Sequence, residues 1–303
     1  LVVASPESRL SAALGRGTHA TADVYRQLTD IVLKEMETDG SKDDSMTSSS
    51  KMTAKVDENM GLMRAVRASL QHGGQEARRV FLQRGVHESK DLLHVTGPLI
   101  VAGDRKAKLA ARLLVHCNET RGREITGAFS SLYLSSSLRS SALSNGLEPL
   151  CCLCGTAEES SGPLVQWIFR DCTMVADRRT LLEVRGRADA DLQRSILSGA
   201  EFDGEVNLCT NAILLRMIST QIVSDRYPRV RVLSSVVRHS ECGLRMVRCD
   251  GSDKGGRGTV VGVNSVFERN RLCCVLTADC EVYLRHCTVR KNSVAAYMVD
   301  TGS

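Results

Sequence analysis

The sequence from Tyr227 onward breaks into short runs of β-branched and aliphatic residues, and this pattern constrains the fold more than any other feature. The runs lie at residues 230–237, 244–247, 259–263, 272–276, 282–289 and 294–299. Within one of them, Val282 and Leu284 alternate with Glu281 and Arg285, which is typical of a strand with one buried face. We therefore predict a β-rich region after residue 227, built on a mixed or antiparallel sheet.

The first half of the chain instead predicts helices that follow strands. Residues 99–102 have the pattern of a buried strand, Gly103 that of a turn, and Asp104 that of the cap of a helix reaching Cys117. Residues 1–14 repeat this order, and further helices are predicted at residues 24–36, 60–70, 177–184 and 189–197. Strand-turn-helix units favour strands covered by helices, so the predicted class is α/β or α+β with a helix-rich N-terminal half.

Composition predicts how these elements are organised. A polar, breaker-rich stretch near residue 155 predicts a boundary between residues 1–154 and 155–303, and residues 39–53 indicate a surface loop. No repeat of fixed period is found along the chain. Because only 4% of the residues are aromatic, the core is expected to consist largely of aliphatic residues and cysteine.

The totals describe a globular, soluble protein. The chain has 303 residues, of which 42% are hydrophobic and 25% charged. No apolar run is long enough to predict a membrane span. Twelve cysteines are too few for a small disulfide-stapled protein, so we expect reduced thiols and a cytoplasmic location.

The chain ends in Asp300-Thr301-Gly302-Ser303, which resembles the active-site loop of the aspartic protease family. The resemblance covers only these residues, and the family's chemistry needs two such aspartates sharing a proton. The sequence carries one copy of the motif, and nothing follows it. We interpret the motif as a turn after a final strand.

A glycine-rich run, residues 251–263, is the first candidate binding site. Backbone amides in such a loop can hold an anion, and the candidate contacts are Lys254, Gly255, Gly256, Arg257 and Gly258. The run departs from the known phosphate-binding patterns, and a hairpin between two strands is the other interpretation.

A concentration of positive charge surrounds this run. Residues 226–257 hold eight basic residues against Glu241, Asp250 and Asp253, so this stretch carries the whole net charge of +5. A phosphate-bearing ligand or a nucleic acid would favour such a field. The other interpretation is that Arg229 and Arg231 form only the solvated face of a strand.

Four residues have the composition of a zinc site. Cys151 and Cys154 form a C-x-x-C pair, and His239 and Cys242 form an H-x-x-C pair. The two pairs are far apart in sequence, so the fold would have to bring them together.

These features lead to one hypothesis and two alternatives. The leading hypothesis is a soluble enzyme of undetermined reaction and cofactor that binds a phosphate-bearing small molecule or a nucleotide. The first alternative is a nucleic-acid-binding or interaction protein that uses the basic 226–257 surface and is stabilised by zinc. The second is a chain without an evolved functional site.

Overall fold

Every regular element that the structure describes is a β-strand. The computed structural model describes residues 53–56, 78–82, 84–89, 92–104, 107–116, 124–135, 148–155, 165–202, 204–217, 228–248, 258–277, 281–293 and 295–299. These residues contain 26 strands and no helix. The chain divides into two compact units, Leu1–Ser50 and Lys51–Ser303, and all described residues belong to the second.

The strands form three sheets. Sheet 1 contains β1 (Thr53–Val56), β2 (Arg78–Leu82), β5 (Leu99–Gly103), β8 (Ile125–Ser130), β11 (Val165–Arg170), β14 (Ala188–Gln193), β18 (Arg229–Leu233), β21 (Thr259–Val263) and β24 (Glu281–Arg285). Sheet 2 contains β3 (Gly85–Glu88), β6 (Ala107–Ala110), β9 (Tyr133–Ser135), β12 (Thr173–Ala176), β15 (Ile196–Phe202), β19 (Val236–Arg238), β22 (Val266–Glu268) and β25 (Thr288–Arg290). Sheet 3 contains β4 (Leu93–Val95), β7 (Leu113–His116), β10 (Cys151–Cys154), β13 (Leu182–Arg185), β17 (Cys209–Met217), β20 (Ser240–Arg248), β23 (Cys273–Thr277) and β26 (Ala295–Val299).

From β2 onward, the chain visits sheets 1, 2 and 3 in turn, so that each circuit makes one coil. Within each sheet, a strand pairs in parallel with its counterparts in the coils before and after it, as β11 does with β8 and β14. The exception among the described strands is β16 (Glu205–Asn207), which pairs antiparallel with β15. The described part of the chain is therefore a parallel β-helix.

The predicted α/β or α+β class is wrong, because strands stand where helices were expected. The helix predicted after Asp104 is the two strands β6 and β7, separated by Ala111 and Arg112. The helices predicted at residues 177–184 and 189–197 are replaced by β13, β14 and the start of β15. Short apolar strands joined by tight corners space their buried residues in a way that also fits a helical stripe, and this caused the error. The predictions for residues 1–14, 24–36, 39–52, 60–70 and 300–303 lie outside the described residues.

The predicted strands that fall within the described residues are confirmed, but their arrangement is not. Residues 99–102 lie in β5, and the six C-terminal runs lie in β18 to β21 and β23 to β26. Their sheets are parallel, not mixed or antiparallel. Strands before and after residue 155 pair in the same sheet, as β10 does with β7 and β13. The boundary near residue 155 stays a prediction.

The coils differ in length, which explains why no fixed period is visible in the sequence. Registered residues lie 22 positions apart at Glu268 and Arg290, 23 at Arg170 and Gln193, and 40 at Asp191 and Arg231. Because the extra residues fall between strands, the strands stay in register while the sequence period is lost.

The core lies between the three sheets and is built from columns of inward-facing side chains. In one column of sheet 1, Trp167 lies between Gly127 and Ala190 in register and is fully buried. A Cβ atom on Gly127 would overlap the Trp167 ring, so this glycine provides the space for the indole. The large ring is therefore accommodated by a small residue in the adjacent coil.

The corner between sheets 1 and 2 has a constant form from β8 onward. It is two residues long in every coil, and its first residue has a left-handed backbone conformation with φ between 49° and 55°. These first residues are Ser131, Asp171, Arg194, Ser234, Asn264 and His286. A single left-handed residue turns the chain sharply between two strands, so each coil bends at the same place.

In three consecutive coils, the second residue of this corner is a buried serine, and together these form a ladder of Ser195, Ser235 and Ser265. The Ser195 N–H donates to Ser235 Oγ at 3.0 Å, and the Ser235 N–H donates to Ser265 Oγ at 3.2 Å. The Ser235 hydroxyl donates in turn to the Leu233 carbonyl oxygen at 2.8 Å. The ladder therefore gives partners to backbone groups that the corner removes from the sheets.

The corner between sheets 2 and 3 repeats this device in the last coils. His239, Arg269 and Lys291 are left-handed, and each precedes a buried or half-buried polar residue, namely Ser240, Asn270 and Asn292. The Ser240 hydroxyl donates to Asn270 Oδ1 at 2.6 Å, and the Asn270 N–H donates to Asn292 Oδ1 at 3.0 Å. Both corners are thus stabilised by hydrogen bonds that run from coil to coil.

We predict that Ser235→Ala destabilises the coil stack. The substitution leaves the buried Ser195 N–H without its acceptor, which should lower the free energy of unfolding by about 1–3 kcal/mol. The measurement is urea unfolding of the full chain. Ser293→Ala is the matched control, because the Ser293 side chain is exposed, and its stability should stay within about 0.5 kcal/mol of wild type. Equal stability of the two variants would contradict a stabilising ladder.

Candidate functional site

The glycine-rich run joins β20 to β21, at the corner between sheets 3 and 1. Lys254, Gly255, Gly256 and Arg257 lie outside the described residues. Gly258 leads directly into β21, and its carbonyl oxygen accepts a hydrogen bond from the Glu281 N–H at 3.0 Å. A Cβ atom on Gly258 would lie 2.5 Å from Met246 Cε, at the end of a flexible side chain, and 3.3 Å from the Pro228 carbonyl oxygen.

The phosphate and nucleotide binding predicted for this run is not supported. Glycine loops that hold phosphates usually lead into a helix, whose N-terminal amides and dipole attract the anion. The described residues contain no helix, and Gly258 continues into a parallel strand between β18 and β24. The described part of the run therefore has the surroundings of a coil corner.

The structure does not bring the four zinc candidates together. Cys151 lies on β10 and faces the core of the β-helix, whereas Cys154, three residues later on the same strand, faces outward. His239 and Cys242 lie at or on β20, which β13 and β17 separate from β10, about 14 Å away at the usual strand spacing. Burial raises the pKa of the Cys151 and Cys154 thiols, which disfavours the thiolate that zinc binds. No group of metal-binding side chains is found among the residues that the structure describes.

The described basic residues of the 226–257 segment do not share one surface. Arg229 and Arg231 lie on sheet 1, Arg238 on sheet 2, and Arg245 on sheet 3. The expectation that Arg231 belongs to a solvated face is wrong, since its side chain is only 2% exposed. The positive charge of this segment is therefore divided among three faces of the coil.

Arg231 instead belongs to a cluster on the outer face of sheet 1. Asp189 and Asp191 lie two residues apart on β14 and point to the same side, and register pairs them with Arg229 and Arg231 on β18. Arg231 Nη2 lies 3.1 Å from Asp189 Oδ2, and Arg231 Nε donates to Asp191 Oδ1. Arg229 Nη1 is 3.9 Å from Asp189 Oδ2. We call Asp189 and Asp191 the carboxylate pair.

The positive charge beside the carboxylate pair is too small to offset the cost of burying both carboxylates. Both aspartates are at most 1% exposed, and Asp189 Oδ1 has no hydrogen-bond partner among the described residues. Burial raises the pKa of Asp189 to about 7. Burial, together with the nearby Asp189 carboxylate, raises the pKa of Asp191 well above its usual value. Two carboxylates facing one fully buried guanidinium therefore favour a protonated form at one of them.

A second buried carboxylate has the opposite balance. Glu183, on the outer face of sheet 3, accepts hydrogen bonds from Arg185 Nε at 2.6 Å and Arg216 Nε at 2.7 Å. Burial alone would raise its pKa, but the two guanidinium groups outweigh burial and lower it. The number of arginines around each carboxylate thus determines the direction of the shift.

The carboxylate pair is not predictable from local sequence, because the pattern of residues 189–197 indicates a helix. A signal was present: Asp189-Ala-Asp191 and Arg229-Val-Arg231 are both alternating patterns, with opposite charges. On paired strands, such patterns place each aspartate beside an arginine. Recognising this required knowing that the two segments occupy adjacent coils.

Apolar side chains are exposed on the last coil of sheets 1 and 2, which consists of β24 and β25. We call these two strands the terminal coil. Leu284 and Val289 face the core in register with Gly262 and Phe267, yet they are 40% and 38% exposed. Phe267, which is the counterpart of Val289 one coil earlier, is 0% exposed. Tyr283 on the outer face is 54% exposed. The apolar interior is therefore accessible at this end of the described coils.

The terminal coil also presents an unpaired strand edge. β24 pairs with β21 on one side, and no described strand lies on its other side. The Glu281 N–H and the Arg285 carbonyl oxygen both bond towards β21. Because successive residues of a strand point to opposite neighbours, the backbone groups of Val282 and Leu284 face the free edge.

Comparison with known proteins gives one structural similarity. No protein-family model and no curated protein sequence matches the chain. The crystal structure of PfbA, a surface adhesin of Streptococcus pneumoniae, is similar with a TM-score of 0.36 and 10% sequence identity, over 80% of this chain and 77% of that chain. None of the described residues forms a helix of the length and hydropathy needed to cross a membrane.

We predict that Asp189 makes the protein less stable as the pH rises. Its pKa is about 7 in the folded protein and about 3.9 in an unfolded chain. The folded state therefore binds more protons between these values. The stability that protonation supplies is fully present below about pH 4 and is lost as the pH rises through about 7, by up to about 1.4 kcal/mol per pH unit.

The measurement compares urea unfolding of wild type and Asp189→Asn from pH 4.5 to 7.5. The stability of wild type relative to the variant should fall as the pH rises. Asp177→Asn, at an exposed carboxylate, is the control and should give a nearly constant difference. A relative stability that rises with pH would mean that the ion pair with Arg231 outweighs burial.

Proposed function

We propose that the chain is an interaction protein that binds an extended polypeptide segment at its terminal coil. The bound segment adds a strand to the free edge of β24 and covers the apolar side chains beneath it. Strand addition to an exposed sheet edge is a common mode of peptide recognition, in which backbone hydrogen bonds supply affinity and side chains supply specificity.

The observation that carries this proposal is the exposure of Leu284 and Val289. Both side chains point towards the core, yet about two fifths of each is accessible to solvent. Removing such apolar area from water is favourable, at roughly 25 cal/mol per Å². Exposed apolar side chains beside an open strand edge are a typical site of protein association.

Charge favours a partner strand with acidic side chains. Arg285, Arg290 and Lys291 are exposed around the terminal coil, and Glu281 is the acidic residue of its two strands. Arg290 Nε already bonds Glu268 Oε2 at 2.8 Å, which leaves Arg285 and Lys291 as the best-placed cations. A segment that alternates apolar and acidic residues would cover the apolar inner face of β24 and pair with Arg285 on its outer face.

The carboxylate pair supports an enzyme less well. Acid–base catalysis requires the carboxyl group to lie within hydrogen-bond reach of a substrate. Asp189 and Asp191 are 1% and 0% exposed, so a substrate has no access to them in this conformation. We therefore assign the pair a structural role and do not propose a reaction.

We expect the chain to bind a short synthetic peptide of alternating valine and glutamate. Binding would be measured by fluorescence anisotropy of the labelled peptide. A matched peptide that is N-methylated at alternate residues cannot form the edge hydrogen bonds and should not bind. Leu284→Lys should weaken binding by about tenfold, because it places a charge beneath the added strand.

Val86→Lys is the control variant. Val86 is 66% exposed, but it lies on β3, at the opposite end of the described coils, so its substitution should leave peptide affinity unchanged. Equal binding of the methylated and unmethylated peptides, or equal weakening by both substitutions, would overturn the proposal.

A further inference from the structure

We infer that the partner of the terminal coil is a second copy of this chain, joined through antiparallel pairing of β24 with its symmetry mate. This inference rests on the proposed function and specifies the partner. The evidence lies in the sequence of β24, Glu281-Val282-Tyr283-Leu284-Arg285, which is self-complementary about its central residue.

A two-fold axis through Tyr283 pairs equivalent residues of the two copies. Val282 of each copy then lies opposite Leu284 of the other. The backbone groups of both residues face the free edge, so each such pair can exchange two N–H···O bonds. The axis thus satisfies the hydrogen-bonding requirement of the edge without any shift in register.

The same axis brings opposite charges together on the outer face. Glu281 of each copy lies opposite Arg285 of the other, and the central Tyr283 lies opposite itself. These are the non-hydrogen-bonded pairs of the ladder, in which the side chains approach more closely than in the hydrogen-bonded pairs. A parallel arrangement would instead place Glu281 beside Glu281 and Arg285 beside Arg285.

The inner face is complementary as well. The exposed Leu284 of one copy would cover Val282 of the other, which is half-buried in the single chain. An interface with two-fold symmetry uses the same patch on both subunits, so a self-complementary strand is the simplest element that can form one. One pairing therefore covers the apolar surface, the strand edge and the charges together.

A charge-exchange experiment tests this pairing. The variants are Glu281→Arg, Arg285→Glu and the double variant, each in the full chain, and the oligomeric state is measured by sedimentation velocity over a series of concentrations. We expect wild type to form dimers. Each single variant places like charges opposite each other and should dimerise at least tenfold more weakly.

Two further samples provide the decisive controls. The double variant restores opposite charges and should dimerise like wild type. An equimolar mixture of the two single variants should also form dimers, because each arginine then faces a glutamate of the other variant. Recovery in the mixture also shows that both single variants are folded.

Other outcomes overturn the inference. Monomeric wild type that still binds the valine–glutamate peptide would refute the second copy as partner while leaving strand addition intact. Dimers that are equally stable in all variants would refute this register. If wild type is monomeric and also fails to bind the peptide, both the inference and the proposed function fall.

Discussion

Parallel hydrogen bonding between successive coils is the constraint on which the rest of the structure depends. Each strand takes its partners from the coil before and the coil after, so every coil must have the same cross-section. The two-residue corner between sheets 1 and 2 helps to set that cross-section, because its left-handed first residue bends each coil from β8 onward at the same point. The serine ladder then bonds the corners to one another. Local backbone geometry and long-range stacking thus enforce each other.

The stacking also explains the charged residues on the outer faces. Side chains at equivalent positions of adjacent coils lie about 4.8 Å apart, so a charge on one strand meets whatever the next coil provides. Glu183 meets two arginines and stays ionised, whereas the carboxylate pair shares one fully buried guanidinium. Removing such charges from water is costly unless they are fully paired, and protonation of one aspartate lowers that cost. The buried carboxylates of the two clusters therefore differ in how many arginines surround each of them.

Strands were predictable from the sequence to the extent that local chemistry determines them. Residues 99–102 and 259–263 are largely apolar, rich in β-branched residues and bounded by proline, glycine or asparagine, and both are strands. Residues 189–197 were assigned to a helix, because a strand buried on both faces, followed at once by a corner and a second strand, loses the simple alternation. The coil architecture was hidden for a different reason: with spacings of 22 to 40 residues, equivalent positions are not recognisable as a repeat. The features of the candidate site depend on which segments become neighbours, so composition and motifs pointed instead to the glycine-rich run.

The segments that join the strands differ in length from coil to coil, and this has a practical consequence for engineering. From β8 onward, the sheet 1 to sheet 2 corner never gains or loses a residue, while the segment between sheet 3 and sheet 1 ranges from two residues after β13 to eleven after β17. The differences in length between the described coils therefore fall in segments between strands, where they leave the stacked strands in register. An engineer who wishes to display a foreign loop on this scaffold should place it between β17 and β18, where the chain already inserts eleven residues between the two strands.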